Sequence, residues 1–267
     1  MSERADYPTG VPSWVDALFP DPRRTATFYA ELFGWELDDR LGSVGSGPYY
    51  VARLHGAPVA GIGPSPAPDV PTSWITYTCV DDVDAATAAA LQAGGRLVCD
   101  TLPSVDGDRR ALLADPSGAV IGVRQRGRFG GAQRVNEPGA WAMSILNTGD
   151  AEAAKAFYGA VFGWTTSTFG FEGFELTMWH RPGYVGGEED QPVSRDVVAA
   201  MGPLPDGNAP ARWDINFWTS DANATAARAE ELGGAVIAPP TDRPGFRDTV
   251  VADPTGTTIA VSQLLGR

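Results

Sequence analysis

The amino-acid sequence predicts an α+β fold: four β-α-β-β-β modules, paired into two halves that repeat one another. Three echoes predict it. TFYAELFGWE at 27–36 returns as AFYGAVFGWT at 156–165, so Tyr158 follows Tyr29 by 129 positions, about half of the 267-residue chain. SWITYTCVDDVDAATAAALQAGG at 73–95 returns as RWDINFWTSDANATAARAEELGG at 212–234. LLADPSGAVIGVRQ at 112–125 returns as VVADPTGTTIAVSQ at 250–263. A weaker repetition of strand, helix and short strands runs inside each half.

Each half opens on a strand-like stretch, SWVDALF at 13–19 and WAMSILN at 141–147. A helix follows. Asp21 stands before Pro22, an N-cap ahead of a proline at the first helical position. Ala26, Tyr29, Leu32 and Phe33 share one face at helical spacing. Gly34 is placed to end the helix in the left-handed conformation. The second copy runs from Asp150 to Gly163 by the same logic. Phe28-Tyr29 and Phe157-Tyr158 read as core, and each half is expected to keep its own helix-to-sheet packing. RGRFGGAQRVNEPGAW at 126–141, rich in Gly and Arg, reads as the join. The expected domains are residues 8–127 and 139–267, with a linker at 128–138.

Composition narrows the function. The chain is 43% hydrophobic and 20% charged, as globular chains are, and it holds no apolar run long enough to span a bilayer. Its first residues, MSERADYPTG, lack the apolar core of a secretory signal, so a cytoplasmic location is expected. A formal net charge of −13 repels phosphate backbones and argues against a nucleic-acid partner. Cys79 and Cys99 lie in apolar stretches without metal or redox spacing, and read as reduced thiols. Lys155 is the sole lysine against 19 arginines, which with the abundant Gly, Ala and Pro points to a GC-rich, actinobacterial genome.

FYAELFGWE and FYGAVFGWT, the helix-opening aspartates, the double glycines at 94–95 and 233–234, and DPSG and DPTG before the last strands occur twice each and in order. With these motifs the chain resembles the vicinal oxygen chelate superfamily of glyoxalase I, bleomycin-resistance proteins and extradiol dioxygenases. The resemblance spans nearly the whole chain. It implies two glyoxalase-like domains, each with a mixed sheet curled around a cleft. Many members hold a divalent metal there, through the first strand, the first strand of the next module and the last strand. The motifs align those places with Trp14 and Met143, with Ile75 and Asp214, and with Gly122 and Ala260. Only Asp214 among these six is a metal donor. Two residues along lie Asp16, Tyr77 and Arg124, with Cys79 beyond Tyr77, and these complete no ligand set. No metal and no other cofactor is expected.

Strand parity groups Trp14 with Asp16, Met143 with Ile145, Ile75 with Tyr77, and Asp214 with Asn216 and Trp218. The resemblance turns these faces into the clefts. Trp14, Tyr77, Met143, Asn216 and Trp218 are then candidate ligand-binding residues, and Asp16 and Asp214 candidate general acid–base carboxylates. Filled cavities are the plain alternative. His55 and His180 fall in matching turns and read as solvated. Residues 180–210 have no first-half counterpart of equal length and read as a lid or a surface excursion. The expected function is metal-free binding of an aromatic natural product, for sequestration or as a biosynthetic accessory. The alternative is a metal-independent enzyme of secondary metabolism, ahead of a metal-dependent lyase or dioxygenase. The expected partner is a hydrophobic or aromatic small molecule, with a second copy of the chain as a further candidate.

Overall fold

The computed structural model describes residues 2–3, 6–39, 47–66, 70, 72–103, 108–127, 129–171, 174–186, 194–204 and 209–266. The first half runs β2 (Pro12–Phe19), α1 (Pro22–Phe33), β3 (Glu36–Asp39), β4 (Tyr50–Leu54), β5 (Ala57–Pro64), β6 (Ser73–Val80), α2 (Val83–Gln92), β7 (Arg96–Pro103), β8 (Arg109–Ala114) and β9 (Val120–Gln125). The second runs β11 (Trp141–Asn147), α3 (Ala151–Phe162), β12 (Thr165–Phe171), β13 (Phe174–His180), β14 (Val197–Gly202), β15 (Arg212–Thr219), α4 (Ala222–Glu231), β16 (Ala235–Arg243), β17 (Phe246–Ala252) and β18 (Thr258–Leu264). Each half builds one mixed eight-stranded sheet, ordered β3-β4-β5-β2-β6-β9-β8-β7 and β12-β13-β14-β11-β15-β18-β17-β16. Two short strands, β1 (Ser2–Glu3) and β10 (Arg134–Val135), pair antiparallel, so the joining segment is held to the N-terminus.

Local chemistry sets the helices. Asp21 accepts from Arg23 N, and Asp150 from Ala153 N; Gly34 and Gly163 close their helices at φ 70° and 69°. Asp82 and Asp221 cap α2 and α4 by accepting two backbone N–H groups each. These bonds satisfy donors that a helix start leaves free.

Each helix lies on its own sheet and also reaches the other half. Tyr29 donates to Asp253 at 3.2 Å and Tyr158 donates to Asp115 at 3.0 Å, so the tyrosine of each repeated helix meets the aspartate of the other half's DP-x-G turn. The double glycines complete the same fit. A Cβ on Gly95 would lie 2.6 Å from the Phe157 ring, and one on Gly234 would lie 3.0 Å from the Phe28 ring. Phe33, Trp35 and Trp74 pack around Phe217 of the second half, with ring centroids 4.9–5.6 Å apart. Each helix thus keeps the expected packing on its own sheet and adds contacts to the other half. The reason is geometric: β6 and β15 meet back to back, Thr76 Oγ1 and Ser144 Oγ share a hydrogen bond of 2.6 Å between the sheets, and α1 lies beside α4 and α2 beside α3.

The two halves share this joint alike. The indole of Trp35 donates to Gly139 O at 2.7 Å and that of Trp164 to Gly10 O at 2.6 Å. Gly139 and Gly10 stand at φ 84° and 85°, conformations that favour glycine. The opposite sheet faces, turned away from this joint, carry the candidate site residues.

Candidate functional site in the second sheet

On the outer face of the first sheet, Trp14 pairs with Tyr77 and Asp16 with Ile75 across β2 and β6, and Tyr77 lies beside Gly122 of β9. Asp16 is fully enclosed. Its carboxylate accepts from Tyr49 at 2.6 Å, from the Trp14 indole, and from Arg110 at 2.5 Å. The Arg110 guanidinium also lies over the Tyr49 and Tyr77 rings, 5.8 and 5.5 Å from their centroids. A flat sheet would hold β4 and β8 roughly 24 Å apart, five steps of about 4.8 Å, so Tyr49 and Arg110 meet only because this sheet bends. Two glycines make the room. A Cβ on Gly61 would stand 2.1 Å from Asp16 Oδ1, and one on Gly122 would stand 2.2 Å from the Tyr77 ring. Burial holds the Tyr49 and Tyr77 hydroxyls well above the usual phenol range, so neither exchanges its proton near neutral pH. Asp16, Trp14 and Tyr77 are thus brought together inside one filled network.

The second sheet presents the same positions with different side chains. Met143 stands where Trp14 does, Ile145 for Asp16, Asn216 for Tyr77 and Ala260 for Gly122. Asp248 and Ser262 face each other where Arg110 faces Arg124. Smaller groups leave the face open: Met143, Ile145, Asp214, Trp218 and Ala260 are all partly exposed. Met143 and Ile145 lie directly opposite Asn216 and Asp214. Trp218 leans toward Phe246, with centroids 6.2 Å apart. The floor is apolar and aromatic, with polar groups set into it.

Asp214 accepts from Arg212 Nε at 3.0 Å and from Asn147 Nδ2 at 2.6 Å. Burial raises its pKa above the ordinary 3.8, against the lowering effects of Arg212 and Asn147. Asn216 Nδ2 donates to Ser262 Oγ at 2.7 Å, and Ser262 Oγ donates to Asp248 Oδ1 at 2.6 Å. The face thus sets partly exposed apolar and aromatic side chains beside a carboxylate whose protonated form burial favours.

His55 sits in the turn after β4 at φ 51°. His180 does not sit in a turn. It ends β13, because pairing with Thr165 and Val197 carries the strand to it. Its ring shares hydrogen bonds with Ser167 Oγ at 2.6 Å and Asp196 at 3.0 Å, and Asp196 also accepts from Ser194 at 2.6 Å. This chain ties β12 to β13 and to the turn into β14. Of the 180–210 stretch expected to form a lid or excursion, Val197–Gly202 is instead β14, in the place β5 holds in the first sheet. Residues 187–193 and 205–208 lie outside the described residues.

The residues present do not fit a divalent-metal centre. The lateral row in the first sheet is Trp14, Tyr77 and Gly122, with the Tyr77 ring in the space over Gly122. In the second sheet it is Met143, Asn216 and Ala260. An indole, a phenol, a thioether and an amide do not make the converging imidazole, thiolate or carboxylate set such ions require. Among the described residues no three His, Cys, Asp or Glu side chains converge.

Sequence reasoning missed Tyr49, Arg110, Asn147, Arg212, Asp248 and Ser262. The signal for three of them is in the repeat: 138 positions separate Arg110 from Asp248 and Arg124 from Ser262, as they separate Asp115 from Asp253. Aligning the halves side chain by side chain exposes a bulky first face against a small, polar second one.

The domain model described as "Glyoxalase-like domain" matches residues 14–123 and again 143–262. The chain is 37% identical over 265 residues to "Putative glyoxylase CFP32" of Mycobacterium tuberculosis, covering 98% of this chain and 97% of that one. It is 31% identical over 276 residues to the anthracycline biosynthesis protein DnrV of Streptomyces peucetius, covering 97% and 94%. Among solved structures, the Mn(II)-bound glyoxalase from Novosphingobium aromaticivorans shares the fold at TM-score 0.65 and 16% identity, covering 97% of this chain and 83% of that one. The 2,2',3-trihydroxybiphenyl 1,2-dioxygenase of Sphingomonas wittichii shares it at TM-score 0.60 and 12% identity, covering 97% and 93%.

Proposed function

Because the chain belongs to the glyoxalase-like domain family and carries that domain twice, we propose that it is a small-molecule-binding protein whose second domain takes a flat aromatic natural product. The observation that carries this reading is the asymmetry of the outer faces. The first is packed with Trp14, Tyr49, Tyr77 and an ion pair; the second exposes Met143, Ile145 and Trp218 around a few polar groups. Binding sites for flat apolar ligands combine such a floor with sparse hydrogen-bonding groups. Similarity to DnrV supports a place in the making or handling of an aromatic antibiotic. The strongly acidic chain, at −13, favours an uncharged or cationic ligand over nucleic acid.

Tryptophan fluorescence tests the reading. Titration with a flat tricyclic quinone is expected to quench emission saturably, and Trp218→Ala to weaken binding roughly tenfold through lost ring contact. Full affinity in Trp218→Ala and in Met143→Ala would remove the site from this face. Elemental analysis after purification without added metal is expected to find no stoichiometric transition metal; one firmly held Mn, Fe, Ni or Zn per chain would contradict the donor set described above.

The raised pKa of Asp214 favours a second reading, in which this carboxylate is the general base of a metal-independent enzyme. Asp214→Asn decides between them. A binding protein would keep its ligand affinity within a few-fold. An enzyme would keep affinity and lose roughly 10²–10⁴-fold in turnover, read as disappearance of the product of altered mass.

A further inference from the structure

The hydrogen bonds under the second face run in one direction. A carboxylate only accepts, so the Ser262 hydroxyl, 2.6 Å from Asp248 Oδ1, must spend its single proton there. Ser262 Oγ is then left to accept, and the group facing it at 2.7 Å must be the Asn216 NH₂. The opposite amide orientation would set the Asn216 oxygen against the Ser262 lone pairs. Asp248 thus fixes which end of the Asn216 amide points away from Ser262, and that end is the oxygen. Asn216 Oδ1 is buried without a hydrogen-bond partner among the described residues, on a residue only 8% exposed. It belongs to the face that carries Met143, directly opposite Asn216, and Ala260, its lateral neighbour on β18. A buried acceptor left unmatched costs free energy unless something donates to it.

We propose that Asn216 Oδ1 is the recognition point for a hydroxyl of the ligand, so that the second cleft selects flat aromatic compounds bearing a free phenolic or enolic OH over their methyl ethers. This rests on the aromatic-ligand reading of the same face and adds the chemical class. The discrimination follows from the one-way chain. An ether oxygen offers no proton, and Asn216 cannot turn to offer its NH₂ without breaking its bond to Ser262. Sites built around a buried polar atom reject analogues that leave that atom unpaired more strongly than apolar pockets reject extra bulk.

The test uses the full chain and three probes: 2,6-dihydroxyanthraquinone, 2,6-dimethoxyanthraquinone and unsubstituted anthraquinone, titrated by tryptophan quenching and by calorimetry. The dihydroxy compound is expected to bind about tenfold more tightly than either of the others. Asn216→Leu, close in size and without an acceptor, is expected to erase that preference while anthraquinone still binds. Asp248→Asn leaves Asn216 in place but removes the anchor, because an amide at 248 can donate to Ser262. The preference is then expected to shrink toward unity, an effect that a merely space-filling Asn216 would not show. Equal affinity of the wild-type chain for all three probes overturns the proposal and leaves the aromatic cleft standing. So does a preference for the dihydroxy compound that survives both substitutions. Absence of binding by any of the three overturns both.

Discussion

Asp16 and Asp214 are both carboxylates facing outward from a central strand, and their surroundings divide them. Asp16 has no exposure and accepts from a tyrosine, a tryptophan and an arginine. Removing one partner of such a buried pair strands the other. Asp16→Asn is expected to destabilise the chain by about 3–5 kcal/mol, and Asp16→Leu combined with Arg110→Met by clearly less. Denaturant midpoints of the variants check this, and equal losses would show that the pair is not coupled. Asp214 obeys a different rule. Its folded pKa is raised above the ordinary 3.8 by burial. A carboxyl raised in this way favours the fold while protonated; that contribution is fully present below the unfolded value and is lost as pH rises through the folded one. Relative to Asp214→Asn, the wild-type chain is therefore expected to lose stability as pH climbs from about 3.8 toward neutrality. A difference that is flat with pH, or that grows in the wild type's favour, would refute the assignment.

At the scale of elements, the repeated motifs are the two sides of one fit. The helix bearing Phe-Tyr docks on the double glycine and the DP-x-G aspartate of the opposite half. A Cβ on Gly95 would also lie 2.6 Å from Ala114 O, and one on Gly234 2.3 Å from Ala252 O, both backbone atoms. Gly95→Ala and Gly234→Ala are each expected to cost about 1–3 kcal/mol by overpacking, although neither glycine belongs to the site. Tyr158→Phe is expected to cost about 1.5–3 kcal/mol, the range for a hydrogen bond to a charged group. Thermal midpoints unchanged in all three would place the joint elsewhere. The helices themselves were legible because their signals are local. Asp, then Pro, then a three-and-four apolar spacing, then Gly, leave little else for the segment around Tyr29 to do. Parity likewise placed Asp214, Asn216 and Trp218 on one face. The docking partner was not legible. An echo of 129 positions is compatible with each helix on its own sheet but records no contact between the halves, and only the back-to-back meeting of β6 and β15 brings α1 beside α4 and α2 beside α3. The filling of the first cleft was hidden for a related reason: Tyr49 and Arg110 meet Asp16 from strands on either wing of a bent sheet, contacts at sequence distances that no short motif records.

For the whole molecule, the shared joint makes the halves one folding unit. One core cluster draws Phe28, Tyr29, Trp35 and Trp74 from the first half together with Trp141, Ile215, Phe217 and Val261 from the second. Residues 8–127 and 139–267 expressed separately are expected to be unfolded or loosely collapsed alone and to regain structure when mixed. The intact chain is expected to melt in a single transition seen alike by circular dichroism and tryptophan fluorescence. Two separated transitions would mean that the cross-half contacts contribute little. Among the described residues, no helix is long and apolar enough to cross a membrane.

The contacts Tyr29–Asp253 and Tyr158–Asp115 are one contact made twice. A chain of half this length would therefore make both by pairing with its own copy, in a symmetric dimer. Such a dimer is bound by its symmetry: whatever side chain fills one cleft fills the other, and whatever opens one opens both. Joining the copies end to end removes that bond. Trp14 and Arg110 can fill the outer face of one domain while Met143 and Asp248 leave the same face of its twin partly exposed, so a packed face and an open one stand at two places of one repeat.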